Sequence, residues 1–286
     1  SAIGTLTKLL YLDLSENRFN GTIPPELFDL SLLQVLSLGE NSLFGTVPSA
    51  LSNLATVLKV LDLKSSSFTG VVLPYIVDFN ASIESSRLQF FDISNNQFVG
   101  SLPYNINNLV AIEYFHVFKN DLSGAIPSTL YGMSSILQMD MSYNYLTGRL
   151  PVEYTDSLRL FSAYNNVFSG TIPSSFGSYV NLSQVDLGQN RLSGTINSDI
   201  GRLEDCVLLG LNNNLLSGLL PVELGSMTSL ITLLLNYNHF SGSEGNIFGE
   251  KSGALSVVDI GDNEFRGQLP DTVFLLPNIS VISATK

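Results

Sequence analysis

Residue types that commonly perform catalysis are scarce in this chain. It contains two histidines, His116 and His239, and one cysteine, Cys206. These three residues lie far apart in the sequence, so they do not show the spacing of a metal site, and no phosphate-binding glycine motif accompanies them. Serines and aspartates are abundant, but abundance alone does not define a catalytic triad. We therefore expect a non-catalytic protein with no cofactor and no metal.

The elements that position these side chains belong to an internal repeat. One pattern of about 24 residues occurs eleven times, and its clearest copy runs from Leu9 to Leu30. Every copy except the third, which has serine, carries an asparagine at one fixed point: Asn17, Asn41, Ser66, Asn96, Asn120, Asn144, Asn166, Asn190, Asn214, Asn238 and Asn263. A glycine follows four residues later in every copy, which indicates an unusual backbone conformation or a close approach. A repeat of this length predicts a solenoid.

The apolar residues of each copy predict a short strand. In the first copy Leu9, Leu12 and Leu14 precede Asn17 with the spacing LxxLxLxxN, which places their side chains on one face. Strands of successive copies would pair in a parallel sheet, with centres near residues 11, 35, 60, 90, 114, 138, 160, 184, 208, 232 and 257. The asparagines would bond to buried backbone groups, whereas Ser142 is expected to face solvent.

These motifs resemble the plant-type leucine-rich repeat, whose unit is LxxLxLxxNxLxGxIPxxLxxLxx. The recurring GxIP element, for example Gly21 to Pro24, carries the resemblance, which covers essentially the whole chain. The resemblance implies an α/β solenoid: a right-handed superhelix with a concave parallel β-sheet, second short strands at LxGxIP, and 3₁₀ or short helical segments on the convex side. It also implies secretion or cell-surface display, and recognition of peptides, proteins or co-receptors.

The domain organisation follows from the repeat. We expect residues 1–286 to form a single solenoid of about eleven repeats, with no membrane span, since no run approaches the roughly 20 apolar residues that a span requires. Family caps usually carry paired cysteines and a tryptophan, and this chain has one cysteine and no tryptophan. Because an uncapped stack exposes its core, the chain is expected to be an internal fragment of a longer protein.

One outward strand position carries aspartate in most copies, including Asp62 and Asp92. Aspartate is usual there in the family, so we expect a solvated structural role. A divalent-cation site formed by Asp62 and Asp92 is a minor alternative, because carboxylate oxygens suit such ions but no dedicated ligand loop is visible.

Copies four to seven differ from the others in carrying aromatic and basic residues at outward positions. We call this set the aromatic patch; it comprises Phe90, Tyr114, His116, Phe118, Lys119, Tyr143 and Tyr164. Aromatic residues on a solvent-facing sheet are typical of interface anchors, although they also pack across neighbouring strands. The net charge of −12 argues against nucleic acid and favours a cationic or neutral partner. The patch therefore predicts a binding site for a protein or peptide ligand, with a basic segment favoured.

Four sequons make Asn20, Asn80, Asn181 and Asn278 candidate glycosylation sites. Asn181 and Asn278 each precede the first inward residue of a strand, where a side chain should be exposed. Asn80 lies in an insertion between the third and fourth copies.

The leading interpretation is a non-catalytic extracellular or cell-surface recognition module of the leucine-rich-repeat receptor type. Two alternatives remain open at this stage. One is a structural subunit of a cell-surface or larger protein assembly, and the other is an inhibitor of a secreted hydrolase that would use the same concave face.

Overall fold

The computed structural model describes residues 2–77, 86–153, 155–242, 248, 252–267 and 271–284. These residues divide into two compact units, residues 1–146 (unit one) and 147–286 (unit two), and each is considered by itself. The single continuous solenoid expected over residues 1–286 stays a prediction. Within each unit, a coil consists of a first strand, a second strand and, in most coils, a short helical segment.

Each unit contains a first sheet made of three-residue parallel strands, one from each coil. In unit one these strands are Tyr11–Asp13, Val35–Ser37, Val60–Asp62, Phe90–Asp92, Tyr114–His116 and Gln138–Asp140. In unit two they are Leu160–Ser162, Gln184–Asp186, Leu208–Gly210, Thr232–Leu234, Val257–Asp259 and Val281–Ser283. Val60 pairs with Phe90 and Phe90 with Tyr114, so equivalent residues of successive coils lie side by side. The predicted strands are confirmed, with centres one residue later than expected and an additional strand at Val281–Ser283.

A second parallel sheet is formed at the LxG part of each coil. Its strands in unit one are Asn20–Gly21, Ser42–Thr46, Ser67–Gly70, Gln97–Gly100 and Asp121–Ala125. In unit two they are Val167–Gly170, Arg191–Gly194, Leu215–Gly218, His239–Gly242 and Glu264–Phe265, and Tyr145–Gly148 contains the unit boundary. The recurring glycines all have φ between +76° and +112°. This left-handed region is disfavoured for residues with a Cβ, which explains why every copy has glycine here.

Short helical segments complete the coils. The 3₁₀ segments are Ala2–Thr5, Pro25–Asp29, Ser49–Leu54, Tyr104–Asn108 and Ser128–Gly132 in unit one, and Ser174–Ser178, Ser198–Arg202, Val222–Ser226 and Asp271–Leu275 in unit two. One α-helical turn, Leu73–Val77, lies in unit one. The proline of the GxIP element precedes many of these segments; Pro24 and Pro127, for example, have φ of −71° and −68°. Proline is favoured at this position because its ring fixes φ and it has no N–H that needs a hydrogen-bond acceptor.

The asparagines form an internal ladder, as predicted. Asn144 Nδ2 lies within hydrogen-bond distance of the carbonyl oxygens of Val117, Met141 and Ser142, at 3.0, 3.1 and 3.1 Å. Its Oδ1 accepts a bond from Leu122 N–H at 3.0 Å. Asn144 is 6% exposed, so one side chain satisfies backbone groups in its own coil and in the preceding one.

The expected exposure of Ser142 is wrong. Ser142 is 6% exposed, and both its N–H and its hydroxyl donate to Asp140 Oδ1, at 2.9 and 2.6 Å. The strand ends at Asp140, so the alternation of inward and outward side chains stops there, and Ser142 lies inside a turn instead.

Candidate ligand-binding site

The aspartates at the ends of the first-sheet strands have a structural role. Six of them accept a hydrogen bond at Oδ1 from the N–H two residues later, at 2.8 to 3.1 Å: Asp13, Asp62, Asp92, Asp140, Asp186 and Asp259. Such bonds are typical of aspartate at turns and support the structural interpretation. Among the residues that the structure describes, no group of three or more His, Cys, Asp or Glu side chains could hold a metal ion.

In the turn after each strand, one residue has a left-handed backbone conformation. The residue before each ladder position has φ between +49° and +56°, and Lys119 and Tyr143 are two of these residues. This conformation was not predicted from the sequence. The available signal was the asparagine or aspartate at the same point in other coils, for example Asn95, Asn213 and Asp262, because these types tolerate positive φ better than most.

Four members of the aromatic patch form one cluster on the solvent face of the first sheet in unit one. Phe90 and Tyr114 lie on neighbouring strands with ring centroids 5.9 Å apart. The His116 ring lies 6.1 Å from Phe90, 6.3 Å from Tyr114 and 6.4 Å from Phe118. All four side chains are half-buried. The rings therefore pack across strands at distances typical of aromatic pairs, and each still presents part of its surface to solvent.

Lys119 and Tyr143 form a second contact in unit one. Lys119 Nζ lies 5.7 Å from the centroid of the Tyr143 ring, within the range of a cation–π interaction. Both side chains are exposed, and Tyr143 retains 43% of its accessible surface. The remaining predicted residue, Tyr164, belongs to unit two, where its ring lies beside Gly188.

A strip of charged residues borders the aromatic cluster. His116 Nδ1 lies 3.7 Å from Asp92 Oδ2. Lys64 Nζ lies 3.2 Å from Glu40 Oε1 and 3.9 Å from Asp62 Oδ2. Glu40 and Lys64 were not predicted as part of the site, because only the pairing of adjacent coils brings them beside the aspartates.

The two aspartates of this strip titrate differently. Burial acts to raise the pKa of Asp92, but the interactions with His116 and Ser94 outweigh burial and hold that pKa below its usual value. Burial raises the pKa of Asp62, and repulsion from Asp92 adds to that effect despite the Lys64 N–H bond. The Asp92 carboxylate is therefore stabilised as an anion, whereas the Asp62 carboxylate is not.

The residues that could have been nucleophiles do not form a reactive site. Cys206 is fully buried, and burial raises the pKa of its thiol to about 12, so it is not a thiolate at neutral pH. His239 lies on the second sheet, with Nδ1 3.0 Å from Glu264 Oε1. No helix in the described part of the chain is long and apolar enough to cross a bilayer.

The candidate glycosylation sites lie in different environments. Asn20 is exposed in the strand Asn20–Gly21. Asn181 is half-buried and donates from Nδ2 to the carbonyl oxygen of Asp156 at 2.7 Å. Asn278 is exposed and donates from Nδ2 to Gly253, also at 2.7 Å. Asn80 lies outside the described residues, so glycosylation at all four sequons stays a prediction.

Comparison with known proteins agrees with this architecture. A family model described as Leucine Rich Repeat matches residues 8–30, 32–54 and 87–109. Receptor-like protein 39 of Arabidopsis thaliana is 34% identical over 114 residues, which are 39% of this chain and 10% of that protein.

Two solved plant structures are similar over nearly the whole chain. The plant peptide hormone receptor RGFR1, in complex with RGF2, is 30% identical with a TM-score of 0.89, over 99% of this chain and 44% of that one. The ectodomain of the Arabidopsis receptor kinase HAESA, in complex with an N-terminally extended IDA peptide hormone, is 31% identical with a TM-score of 0.89, over 97% of this chain and 45% of that one. This chain thus spans less than half the length of either structure. The repeated LxxLxLxxNxLxGxIP unit, the two parallel sheets and these likenesses show that the chain belongs to the plant-type leucine-rich-repeat family.

Proposed function

We propose that this chain is a non-catalytic recognition module of an extracellular or cell-surface receptor, and that it binds a peptide or protein ligand. The observation that carries the proposal is the half-exposed cluster of Phe90, Tyr114, His116 and Phe118 on the solvent face of the first sheet. The two similar ectodomains were solved with peptide hormones, which supports a ligand of that class.

The cluster has the properties of an interface anchor. Its side chains are held by one another, so a ligand that contacts them does not have to immobilise free rotamers. Each ring offers a large contact area. Lys119 and Tyr143 extend the surface with a cation and a phenol hydroxyl, which can fix the orientation of a ligand.

Charge favours a basic ligand segment. The chain carries a net charge of −12, and Glu40, Asp62 and Asp92 lie along the border of the cluster. A ligand with lysine or arginine opposite this border would associate faster at low salt, because complementary charges steer the encounter.

A peptide panel tests this proposal. Three sets of synthetic peptides with matched length and hydrophobicity, carrying net charges of about +3, 0 and −3, would be screened for binding by biolayer interferometry. We expect binders mainly in the basic set, with association rates that fall as salt increases. Binding that is confined to the acidic set, or association rates that do not change with salt, would contradict the charge argument.

A control separates the cluster from the rest of the surface. Tyr104 is 73% exposed and lies in the 3₁₀ segment Tyr104–Asn108, away from the first sheet. Each binder would be re-measured with the Tyr114→Ala and Tyr104→Ala variants. The proposal requires that only Tyr114→Ala weakens binding; equal losses in both variants would indicate a non-specific hydrophobic contact.

A further inference from the structure

We infer that unit two carries a separate subsite for a guanidinium group, formed by Asp186, Gly188, Gly210 and Asn212 beside Tyr164. We call the first four residues the diagonal site. The inference rests on the proposed recognition function, because it names one chemical group of the ligand that the module would bind.

The diagonal site spans two neighbouring coils. Asp186 pairs with Gly210 across the strands Gln184–Asp186 and Leu208–Gly210, and Gly188 and Asn212 lie two residues further along each coil. A Cβ on Gly210 would lie 2.6 Å from Asp186 Oδ1, and a Cβ on Gly188 would lie 2.5 Å from Asn212 Oδ1. Each polar side chain therefore leans over the glycine of the adjacent coil, and the two oxygens occupy opposite corners of the site.

Gly188 and Gly210 leave space for the neighbouring polar side chains and do not adopt a left-handed backbone conformation. Neither Gly188 nor Gly210 has a positive φ, in contrast to the glycines that end the second strands. A Cβ at either position would force the Asp186 or Asn212 side chain to move, since real Cβ atoms do not show contacts at these distances. The glycines thus make room for two acceptors, one at the end of the strand Gln184–Asp186 and one two residues beyond the strand Leu208–Gly210.

One of these acceptors is buried without a hydrogen-bond donor. Asn212 is 9% exposed, and no protein group donates a hydrogen bond to its Oδ1. Ladder asparagines in the same unit differ: Asn214 Oδ1 accepts the Leu192 N–H at 2.9 Å. A buried carbonyl oxygen without a donor costs free energy, which a ligand N–H placed over Gly188 would recover.

Tyr164 closes the site on one side. A Cβ on Gly188 would lie 3.0 Å from Tyr164 Cδ2 as well as 2.5 Å from Asn212 Oδ1, so the ring and the amide oxygen converge on one point. Tyr164 is half-buried, so a ligand group has to displace its ring to reach Asn212 Oδ1. Rotation of the ring would uncover Asn212 Oδ1 and turn an aromatic face toward the incoming group.

The Asp186 carboxylate, the unpaired Asn212 oxygen and the Tyr164 ring match a guanidinium better than other hydrogen-bond donors. Its fixed fork of N–H groups can reach two separate acceptors, here the Asp186 carboxylate and the Asn212 carbonyl. Its positive charge complements Asp186, and its plane can stack on Tyr164. An ammonium is a point charge without a plane to stack, and a neutral amide or urea lacks the charge. An arginine side chain of the ligand is therefore the group that the diagonal site fits.

Titration of the wild-type chain with N-acetyl-arginine amide tests this inference without any peptide ligand. The side-chain amide resonances of Asn212, observed by NMR, should shift and saturate with the arginine derivative. N-acetyl-citrulline amide has nearly the same shape but no charge, and should bind about tenfold more weakly or worse. The inference is overturned if the Asn212 resonances do not respond to the arginine derivative, or if citrulline binds equally well.

Two substitutions complete the test. Asp186→Asn keeps the size of the side chain and removes its charge, so it should abolish the preference for arginine over citrulline; an unchanged preference would place the charge recognition elsewhere. Tyr104→Ala, in the 3₁₀ segment Tyr104–Asn108 of unit one, should leave the arginine response unchanged. A wild-type chain that binds the arginine derivative but none of the peptides would refute the proposed function and retain the subsite. The reverse result would refute the subsite alone.

Discussion

His116 Nδ1, in the aromatic cluster, lies 3.7 Å from Asp92 Oδ2 at the border of that cluster. The two residues pair across the neighbouring strands Phe90–Asp92 and Tyr114–His116. The Asp92 side chain is 8% exposed and the His116 side chain 19%. The separation exceeds a hydrogen bond, so the attraction is electrostatic and depends on protonation of the imidazole. The pair therefore places the Asp92 carboxylate next to the rings that we propose as ligand anchors.

Stability should depend on pH through Asp92 and Asp62 with opposite signs. The folded-state pKa of Asp92 is lowered, so its contribution to stability is present above the unfolded-state pKa and is lost as the pH falls through the folded value. The folded-state pKa of Asp62 is raised, so its contribution is present below the unfolded-state pKa and is lost as the pH rises through the folded value. Both changes occur in the acidic range around the usual pKa of aspartate, about 4.

Two isosteric variants check these signs. Asp92→Asn should lower the free energy of unfolding at pH 7 by about 1 kcal/mol or more. Asp62→Asn removes a disfavoured charge and should raise that free energy by less than about 1 kcal/mol. Urea denaturation at pH 7 and pH 3 measures both, and each effect should shrink at the lower pH. Destabilisation of similar size in both variants at pH 7 would refute the claim that the folded protein favours the charged form of Asp92 and disfavours that of Asp62.

The ladder predicts a large cost for Asn144→Ala. The substitution leaves buried backbone groups without partners, and the free energy of unfolding should fall by about 1–3 kcal/mol. Ser142 is unsuitable as an exposed control because it is buried. Ser123 is exposed in the strand Asp121–Ala125, so Ser123→Ala should change stability by no more than about 0.5 kcal/mol. Equal effects in the two variants, measured by urea melts, would be inconsistent with stabilisation of the fold by the ladder hydrogen bonds.

Ser66 is a position where the ladder can be repaired. It replaces asparagine in the third copy, and its buried Oγ has no hydrogen-bond partner. Ser66→Asn should therefore raise the free energy of unfolding by about 0.5–1.5 kcal/mol, because the amide can bond to the backbone as Asn41 and Asn96 do. Ser66→Ala is the control, since it removes the unpaired hydroxyl without adding a ladder bond. If Asn proves less stable than Ala in thermal and urea melts, the coil cannot accommodate the longer side chain and the prediction fails.

Much of the fold could be predicted because the same residue pattern recurs in every repeat. Strand positions, the ladder and the glycine turns follow from residue types at fixed spacing, and inward residues such as Phe115 are fully buried as that pattern requires. The turn residues were harder to assign. Alternation fails after Asp140, so Ser142 was placed on the wrong side, and the left-handed conformation of Lys119 and Tyr143 has no signature in those two residues themselves.

The candidate site could be predicted only as a set of residues. The sequence places Phe90 and Tyr114 on equivalent outward positions and His116 on the next outward position of its strand. The contacts among their rings, however, depend on rotamers and on the twist between strands. The diagonal site was invisible for a different reason. A single glycine at an outward position does not reveal which neighbouring side chain leans over it. The sequence also does not show that Asn212 is buried with an amide oxygen that lacks a hydrogen-bond donor.

The most direct test of the central claim is the affinity of one basic peptide, selected on the wild-type chain, for four proteins in isothermal titration calorimetry. Truncating a central aromatic anchor typically costs about 2 kcal/mol or more, so Tyr114→Ala and Tyr143→Ala should each raise Kd by about thirtyfold or more. Tyr104→Ala should leave Kd within about twofold of wild type, because Tyr104 lies outside the patch. Wild-type affinity in both the Tyr114→Ala and Tyr143→Ala variants would contradict the account and place the ligand site elsewhere on the chain.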